Sequence, residues 1–269
     1  MEATPQNTSN KKVNCYSISK VIDVLLYAGA YLLARGAHSG RVMRNLERMA
    51  STWGYDIHLN SFFRGIALTV IDKNDREIAI SRYLEAPPPA VQFSSITKIS
   101  HLSWEIYEDK RSPAEAQKKI AEIANEPKPK KFWVAVAVGF SCAGLCLFSN
   151  GDFINAVTAF LGAFAGYLAK SVMDRHKYNP FIGIFIAALT TTLITGLFAR
   201  FNLLSNQEAA IATAVLYLIP GVPLINVVID MIEGYFNSAL NRMLFAFLTI
   251  LSISAGIWTS LTLLGLSYF

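Results

Sequence analysis

The chain has 269 residues, 53% of them hydrophobic and 16% charged, with a formal net charge of +5 and a mean hydropathy of +0.36. Ordinary soluble domains are roughly 45–50% apolar and about 25% charged, so this composition excludes a wholly soluble protein of ordinary make-up. The charge is also divided: after residue 131 the basic residues are Lys170, Arg175, Lys177, Arg200 and Arg242 and the acidic ones Asp152, Asp174, Glu208, Asp230 and Glu233, so the front half carries the whole positive balance. A soluble domain joined to a membrane domain is expected.

In chain order, residues 1–14 open with MEATPQNTSNKK, which has no apolar core and is read as a disordered cytoplasmic tail rather than a secretory signal. A soluble domain is expected over 15–125. Residues 15–35 carry Ile18, Val21, Ile22, Leu25, Leu26, Leu32 and Leu33 at helical spacing, with Gly36 as a stop. A second helix fits 40–53, with Val42, Leu46, Met49, Ala50 and Trp53 on one face. The period then changes to alternation. Ile57, Leu59 and Phe63 form one strand, IALTVID a second and EIAISRYL a third, with KND as the last turn. The prolines at 87–89 end the sheet. Ile96, Ile99, Leu102, Ile106 and Tyr107 mark another helix. Ser112, Pro113 and Glu115 supply cap, first-turn proline and capping-box acid for the last, to about Asn125. The domain is a small α+β fold with a three-stranded antiparallel sheet.

Little in it points to catalysis. His38, His58, His101 and His176 lack metal-ligand spacing, and Cys15, Cys142 and Cys146 form neither a disulfide framework nor a zinc motif, so no metal, cofactor or catalytic residue is expected. Ser39 beside His38 is read as a helix cap rather than a nucleophile. Arg41, Arg44, Arg48 and Arg64 have little aromatic interleaving and are read as a solvated or anionic-lipid-facing surface, not a nucleic-acid site.

EPKPKK at 126–131 is a linker, and 132–269 is expected to hold five transmembrane helices: Phe132–Phe148, Phe153–Ala169, Phe181–Phe198, Ala209–Ile232 and Met243–Leu266. Lys128, Lys130 and Lys131 precede the first, Lys170, Arg175 and Lys177 follow the second, and Arg242 follows the fourth. By the positive-inside rule the soluble domain is cytoplasmic and the C-terminus outside. Gly162 and Gly166 form a GxxxG suited to helix packing. Thr190, Thr191, Thr192 and Thr195 make the third span polar, as a packed bundle or a solute path requires.

The fourth segment is broken by Pro220, Gly221, Val222 and Pro223. Counted from Ala209, Pro220 lies roughly 16 Å deep at ~1.5 Å per residue, near the middle of a ~30 Å hydrocarbon layer. Irregular backbone at that depth must be buried in protein or line a water-filled cavity. Beyond it Asn226, Asp230, Glu233, Asn237 and Asn241 recur at three or four residues and are expected to form one polar stripe on a helix. An acid facing lipid costs on the order of 2.5–3.5 kcal/mol, so Asp230 and Glu233 should face the bundle, a cavity or the inner interface.

Two stretches carry a family resemblance. ARGAHSGRVMRNLERMASTWGY, with Gly36, Ser39 and Arg41, resembles the motif that opens the cytoplasmic domain of the bacterial threonine/serine exporter family, although Ser39 stands where a threonine is expected. IPGVPLINVVIDMIEGYFNSALNR resembles that family's second signature. Full-length members carry a second membrane half, so the resemblance implies the larger subunit of the split type, paired with a small membrane subunit that supplies the other half. Split relatives are linked to succinate export and full-length ones to threonine and serine. The resemblance therefore implies transport of a small carboxylate-bearing solute.

The expected function is one subunit of a secondary exporter in the cell inner membrane. Pro220, Gly221, Val222, Pro223, Asn226, Asp230 and Glu233 form its solute path, and Asp230 is the candidate proton carrier. A second five-span half would start inverted, a recurring design of secondary transporters. Homo-oligomerisation is left open. The alternatives are a membrane-tethered enzyme acting through the soluble domain and a membrane-anchored interaction or sensor protein.

Overall fold

The computed structural model describes residues 16–62, 65–127 and 129–266. The expected tail, Cys15, the strand residue Phe63, Arg64 and the linker residue Lys128 lie outside them. The chain divides into two compact units, one comprising the chain up to Glu126 together with Val222–Arg242, the other Pro127–Gly221 together with the chain from Met243.

The first unit follows the expected order: α1 (Ile18–Ala34), α2 (Ser39–Thr52), β1 (Tyr55–Phe62), β2 (Gly65–Asp72), β3 (Ala79–Glu85), α3 (Phe93–Asp109) and α4 (Pro113–Ala124). The sheet is antiparallel in the order β1-β2-β3, with Val70 opposite Ile57 on one side and Ile80 on the other. That register puts Ile57, Ile66, Leu68 and Val70 into one core with Ile22, Leu25, Leu46, Met49, Ile99, Ile106 and Ile120. Each such fully buried aliphatic side chain stabilises the fold by about 1.5–3 kcal/mol. The capping box forms as its residues dictate: Ser112 Oγ accepts from the Glu115 amide while the Glu115 carboxylate accepts from the Ser112 amide. The bond from the Ser112 amide first, then one that the Ser112 hydroxyl donates to the same carboxylate, hold the Glu115 carboxyl below its usual range.

Ser39 is not the cap of α2. His38 has the extended backbone of a cap residue, and its Nδ1 accepts from the Arg41 amide at 3.3 Å. Ser39 is the first helical residue, which leaves its own amide pointing out of the helix end without an intrahelical partner.

The second unit holds α5 (Lys131–Phe148), α6 (Phe153–Arg175), α7 (Pro180–Arg200) and α8 (Gln207–Val215), which tightens into a 3-10 turn at Leu216–Leu218. After the break come α9 (Gly221–Ile232) and α10 (Phe236–Leu264). Four helices, α5, α6, α7 and α10, are long and apolar enough to cross a membrane, and a fifth crossing exists only if the bent pair around Pro220 is counted as one span.

Gly162 and Gly166 lie against α7. A Cβ on Gly162 would meet Thr195 Cγ2 at 2.7 Å, and one on Gly166 would meet Thr191 Oγ1 at 2.0 Å and the Tyr217 hydroxyl at 2.5 Å. Two threonines of α7, Thr191 and Thr195, are turned into this contact; both are buried, as is Thr192, and Thr191 Oγ1 lies 3.2 Å from the Tyr217 hydroxyl. Thr190 and Thr195 return hydrogen bonds to carbonyls of their own helix, the usual way a hydroxyl is satisfied inside an apolar bundle.

The helix breaks at Pro220 but not at Pro223, which lies in the first turn of α9. There its missing N–H has no intrahelical acceptor to lose, so proline is tolerated. The polar stripe does not run along one helix. Gly234, at φ +84°, ends α9, and the Tyr235 amide donates back to the Asp230 carbonyl at 2.7 Å. Asn226 and Asp230 therefore sit on α9 and Glu233 just past its end, whereas Asn237 and Asn241 belong to α10.

Candidate functional site

The junction between α1 and α2 is built from residues 36–40. Gly36, at φ +95°, closes α1: its amide donates to the Leu33 carbonyl, and the Ala37 amide donates to that of Leu32. This left-handed stop favours glycine and turns the carbonyls of residues 36 and 37 outward. His38 then caps α2, and Ser39 and Gly40 open it.

Within the same unit, α9 and the start of α10 meet the outward carbonyls and the Ser39 amide of that junction. Asn226 Nδ2 donates to the Gly36 carbonyl at 2.9 Å, and Arg242 Nη2 to the Ala37 carbonyl at 2.7 Å. The Ser39 amide donates to Asp230 Oδ1 at 2.7 Å and the Ser39 hydroxyl to Oδ2 at 3.3 Å. Arg242 Nε lies 3.0 Å from the same carboxylate, which is fully buried. Glu233 takes the outer edge, with Arg44 Nη1 at 2.9 Å and His38 Nδ1 at 3.1 Å. The Arg44 hydrogen bond holds the Glu233 carboxyl below its usual range, against a smaller opposing effect of burial.

Two small residues make this possible. A Cβ on Gly40 would fall 1.8 Å from Glu233 Oε2, so only glycine lets that carboxylate reach the helix start. Ser61 on β1 bonds Ser238 on α10, and its Oγ is 3.5 Å from that of Ser39, extending the polar contact into the sheet. Physically, the N-terminus of α2 is an anion site, and its anion is the Asp230 side chain.

Ligand atoms of His38, Asp230 and Glu233 lie within 4.8 Å of one another, a spacing suited to a divalent ion. Both carboxylates already carry a guanidinium, Arg242 on Asp230 and Arg44 on Glu233. The cluster is electrically closed, and a metal would have to displace both arginines.

The expected site residues thus separate. Asn226, Asp230 and Glu233 come together with Gly36 and Ser39. Val222 and Pro223 form the first turn of α9, and Val222 packs near Gly36. Pro220 and Gly221 form the break, where a Cβ on Gly221 would meet nothing within 4 Å. Arg41 turns away, toward Ser100 of α3 at 3.4 Å. Gly162 and Gly166 belong to the other unit. His38, Gly40, Arg44 and Arg242 were not singled out by sequence. The signal that existed was charge balance: two acids in an apolar segment require cations, and Arg242 is the nearest one along the chain.

Both ends of this network are the two stretches that carry the family motifs. The family model for threonine/serine exporters, ThrE, matches residues 23–264. The chain belongs to the threonine/serine exporter family. It is 28% identical over 248 residues to the Escherichia coli protein named "Probable succinate transporter subunit YjjP", covering 91% of this chain and 95% of that one. A Klebsiella aerogenes protein of the same name is 28% identical over 250 residues, with the same coverage. A Corynebacterium glutamicum threonine/serine exporter is 22% identical over 224 residues, which make up 81% of this chain and 46% of that exporter. No solved structure matches. The family and the apolar helices make this a multi-pass membrane protein of a transport family.

Proposed function

We propose that this chain is one subunit of a secondary transporter that exports small carboxylate-bearing solutes across the cytoplasmic membrane, with a second membrane subunit completing the path. The observation that carries the reading is the fixing of α9: the helix that starts at the Pro220 break is gripped along Asn226, Asp230 and Glu233 by the start of α2. The α+β unit therefore holds the segment that leads out of the break, and a change at one end must be felt at the other.

Within this reading Pro220, Gly221, Val222 and Pro223 line the solute path, and the freed start of α9 offers amides and a positive dipole end to a carboxylate. Asn226, Asp230 and Glu233 form the grip. Asp230 is paired with Arg242 and accepts the bond from the Ser39 amide, which makes it the centre of that grip. The distribution of lysines and arginines favours a cytoplasmic α+β unit. The partial match to the longer C. glutamicum exporter and the subunit named in the E. coli relative support a separate second half. The solute is of the class those names give, a dicarboxylate or a hydroxy amino acid.

A membrane-tethered enzyme is the weaker reading, since the Ser39 hydroxyl donates to a carboxylate that is itself ion-paired. The test is efflux of succinate, threonine and serine from cells expressing this chain with and without the partner membrane subunit. Efflux is expected only with both; equal efflux without the partner overturns the two-subunit reading, and none with both overturns export of these solutes.

A further inference from the structure

A second feature of the α+β unit is unused by the transport reading. A cleft of about 910 Å³ opens between α2, β1 and the β2–β3 connection, lined by Arg44, Glu47, Arg48, Asp56, His58 and Arg76 among others. Asp56 is matched by Lys73 at 3.7 Å and Arg44 by Glu233 at 2.9 Å, which leaves Glu47 in the lining with Arg48 and Arg76. Arg76 forms no ion pair among the described residues. Arg48 has no carboxylate either: it donates to Ser103 at 2.6 Å and lies flat on Trp104, 3.7 Å from the ring centroid. Burial first, then the Arg44 charge, hold the Arg48 guanidinium below its ordinary pKa. Positive charge is therefore crowded in this cleft, and one of its members is locked in place.

We propose that this cleft binds a small carboxylate-bearing metabolite and that Arg44 transmits its occupancy to α9. Guanidinium forks match a carboxylate in two parallel hydrogen bonds, and an arginine fixed by stacking loses little freedom on binding. Arg48 and Arg44 are four residues apart on α2 and so present on one face, with Arg76 supplied from the strand connection. Arg44 is shared: it lines the cleft and also holds Glu233 at 2.9 Å. A bound carboxylate competes with Glu233 for it and loosens the outer edge of the grip on α9. The site regulates rather than carries solute, so it can fail while the transport reading stands, and the reverse.

The test uses the purified full chain in lipid nanodiscs, with no transport required. Succinate, threonine and inorganic phosphate are titrated in turn while tryptophan emission is followed, since Trp104 lies under Arg48. A saturable change with succinate or threonine is expected, with affinity at least tenfold weaker in Arg76→Gln and the optical signal lost in Trp104→Phe while calorimetric binding persists. Glu233→Gln frees Arg44 and is expected to tighten binding several-fold. Absence of a saturable change, binding indifferent to Arg76→Gln, or phosphate binding as tight as either carboxylate overturns the site. An unchanged affinity in Glu233→Gln overturns the coupling.

Discussion

The Ser39 amide donates to Asp230 Oδ1 at 2.7 Å across 191 residues of sequence, so α2 is completed by a side chain from α9. A helix start favours a nearby carboxylate through its unpaired amides and its dipole. Here that carboxylate is also the partner of Arg242, which itself bonds the Ala37 carbonyl. One acid thus fixes two helices and a turn.

Asp230→Ala should be strongly destabilising, because it strands the Arg242 guanidinium and the Ser39 amide. Removing one partner of a buried pair costs about 3–5 kcal/mol. Asp230→Asn keeps an acceptor for the amide and should cost less, about 1–3 kcal/mol. Chemical unfolding of the purified protein ranks the two, and equal costs would show that the cap contributes nothing.

Gly40→Ala sets a methyl group where Glu233 Oε2 now lies. The Arg44–Glu233 pair should break and efflux fall. The methyl should be tolerated once the long acid is gone, so Gly40→Ala should cost little in a Glu233→Ala background. Unfolding free energies of the two single variants and the double variant measure that coupling.

Acidification should weaken the outer edge of the grip. Arg44 lowers the Glu233 pKa in the fold, so its stabilisation is fully present above the ordinary carboxylate value, about 4.3, and is lost as pH falls through the folded value. Glu233 is about a quarter exposed, and solvent screening keeps the contribution to about 1 kcal/mol or less. The stability gap between the parent and Glu233→Gln should be present at neutral pH and close below about pH 4. Unfolding curves at a series of pH values test the closure.

In the helical unit, Gly166→Ala should loosen the contact of α6 with α7, since its Cβ would strike Thr191 Oγ1 and the Tyr217 hydroxyl. Thr191→Ala removes the first obstacle and should partly restore thermal stability to the double variant. No restoration would place the damage elsewhere.

Replacing Pro220 and Gly221 together by alanine restores a donor at 220 and allows α8 to continue into α9. The space at Gly221 is open, so the change acts on the backbone rather than by collision. Efflux should fall to background while the protein still assembles in the membrane. Unchanged efflux would remove the break from the solute path.

The α+β unit was legible where local rules decide: the apolar period of α1 and α2, the alternation of the strands and the capping box at Ser112 all gave the observed elements. The break at Pro220 followed from the same rules. The structure departs from the sequence pattern where a rule depends on position within a helix. Pro223 falls in a first turn, and His38 rather than Ser39 occupies the cap. At the site, Asp230 and Glu233 were recognisable as acids in need of partners, but Ser39 and Arg44 lie about 190 residues away. No periodicity links such positions. Only the chain's return to its first unit between Val222 and Arg242 brings them together.

That return has a consequence for how the protein is made. Synthesis at about 5–20 residues per second separates Ser39 from Asp230 by roughly 10–40 s. For that interval the first helices wait with the Ser39 amide and the carbonyls of Gly36 and Ala37 without their partners from α9 and α10. Four helices of the other unit, α5 to α8, are made before the missing segment arrives. The nascent chain is thus obliged to finish its earliest domain late.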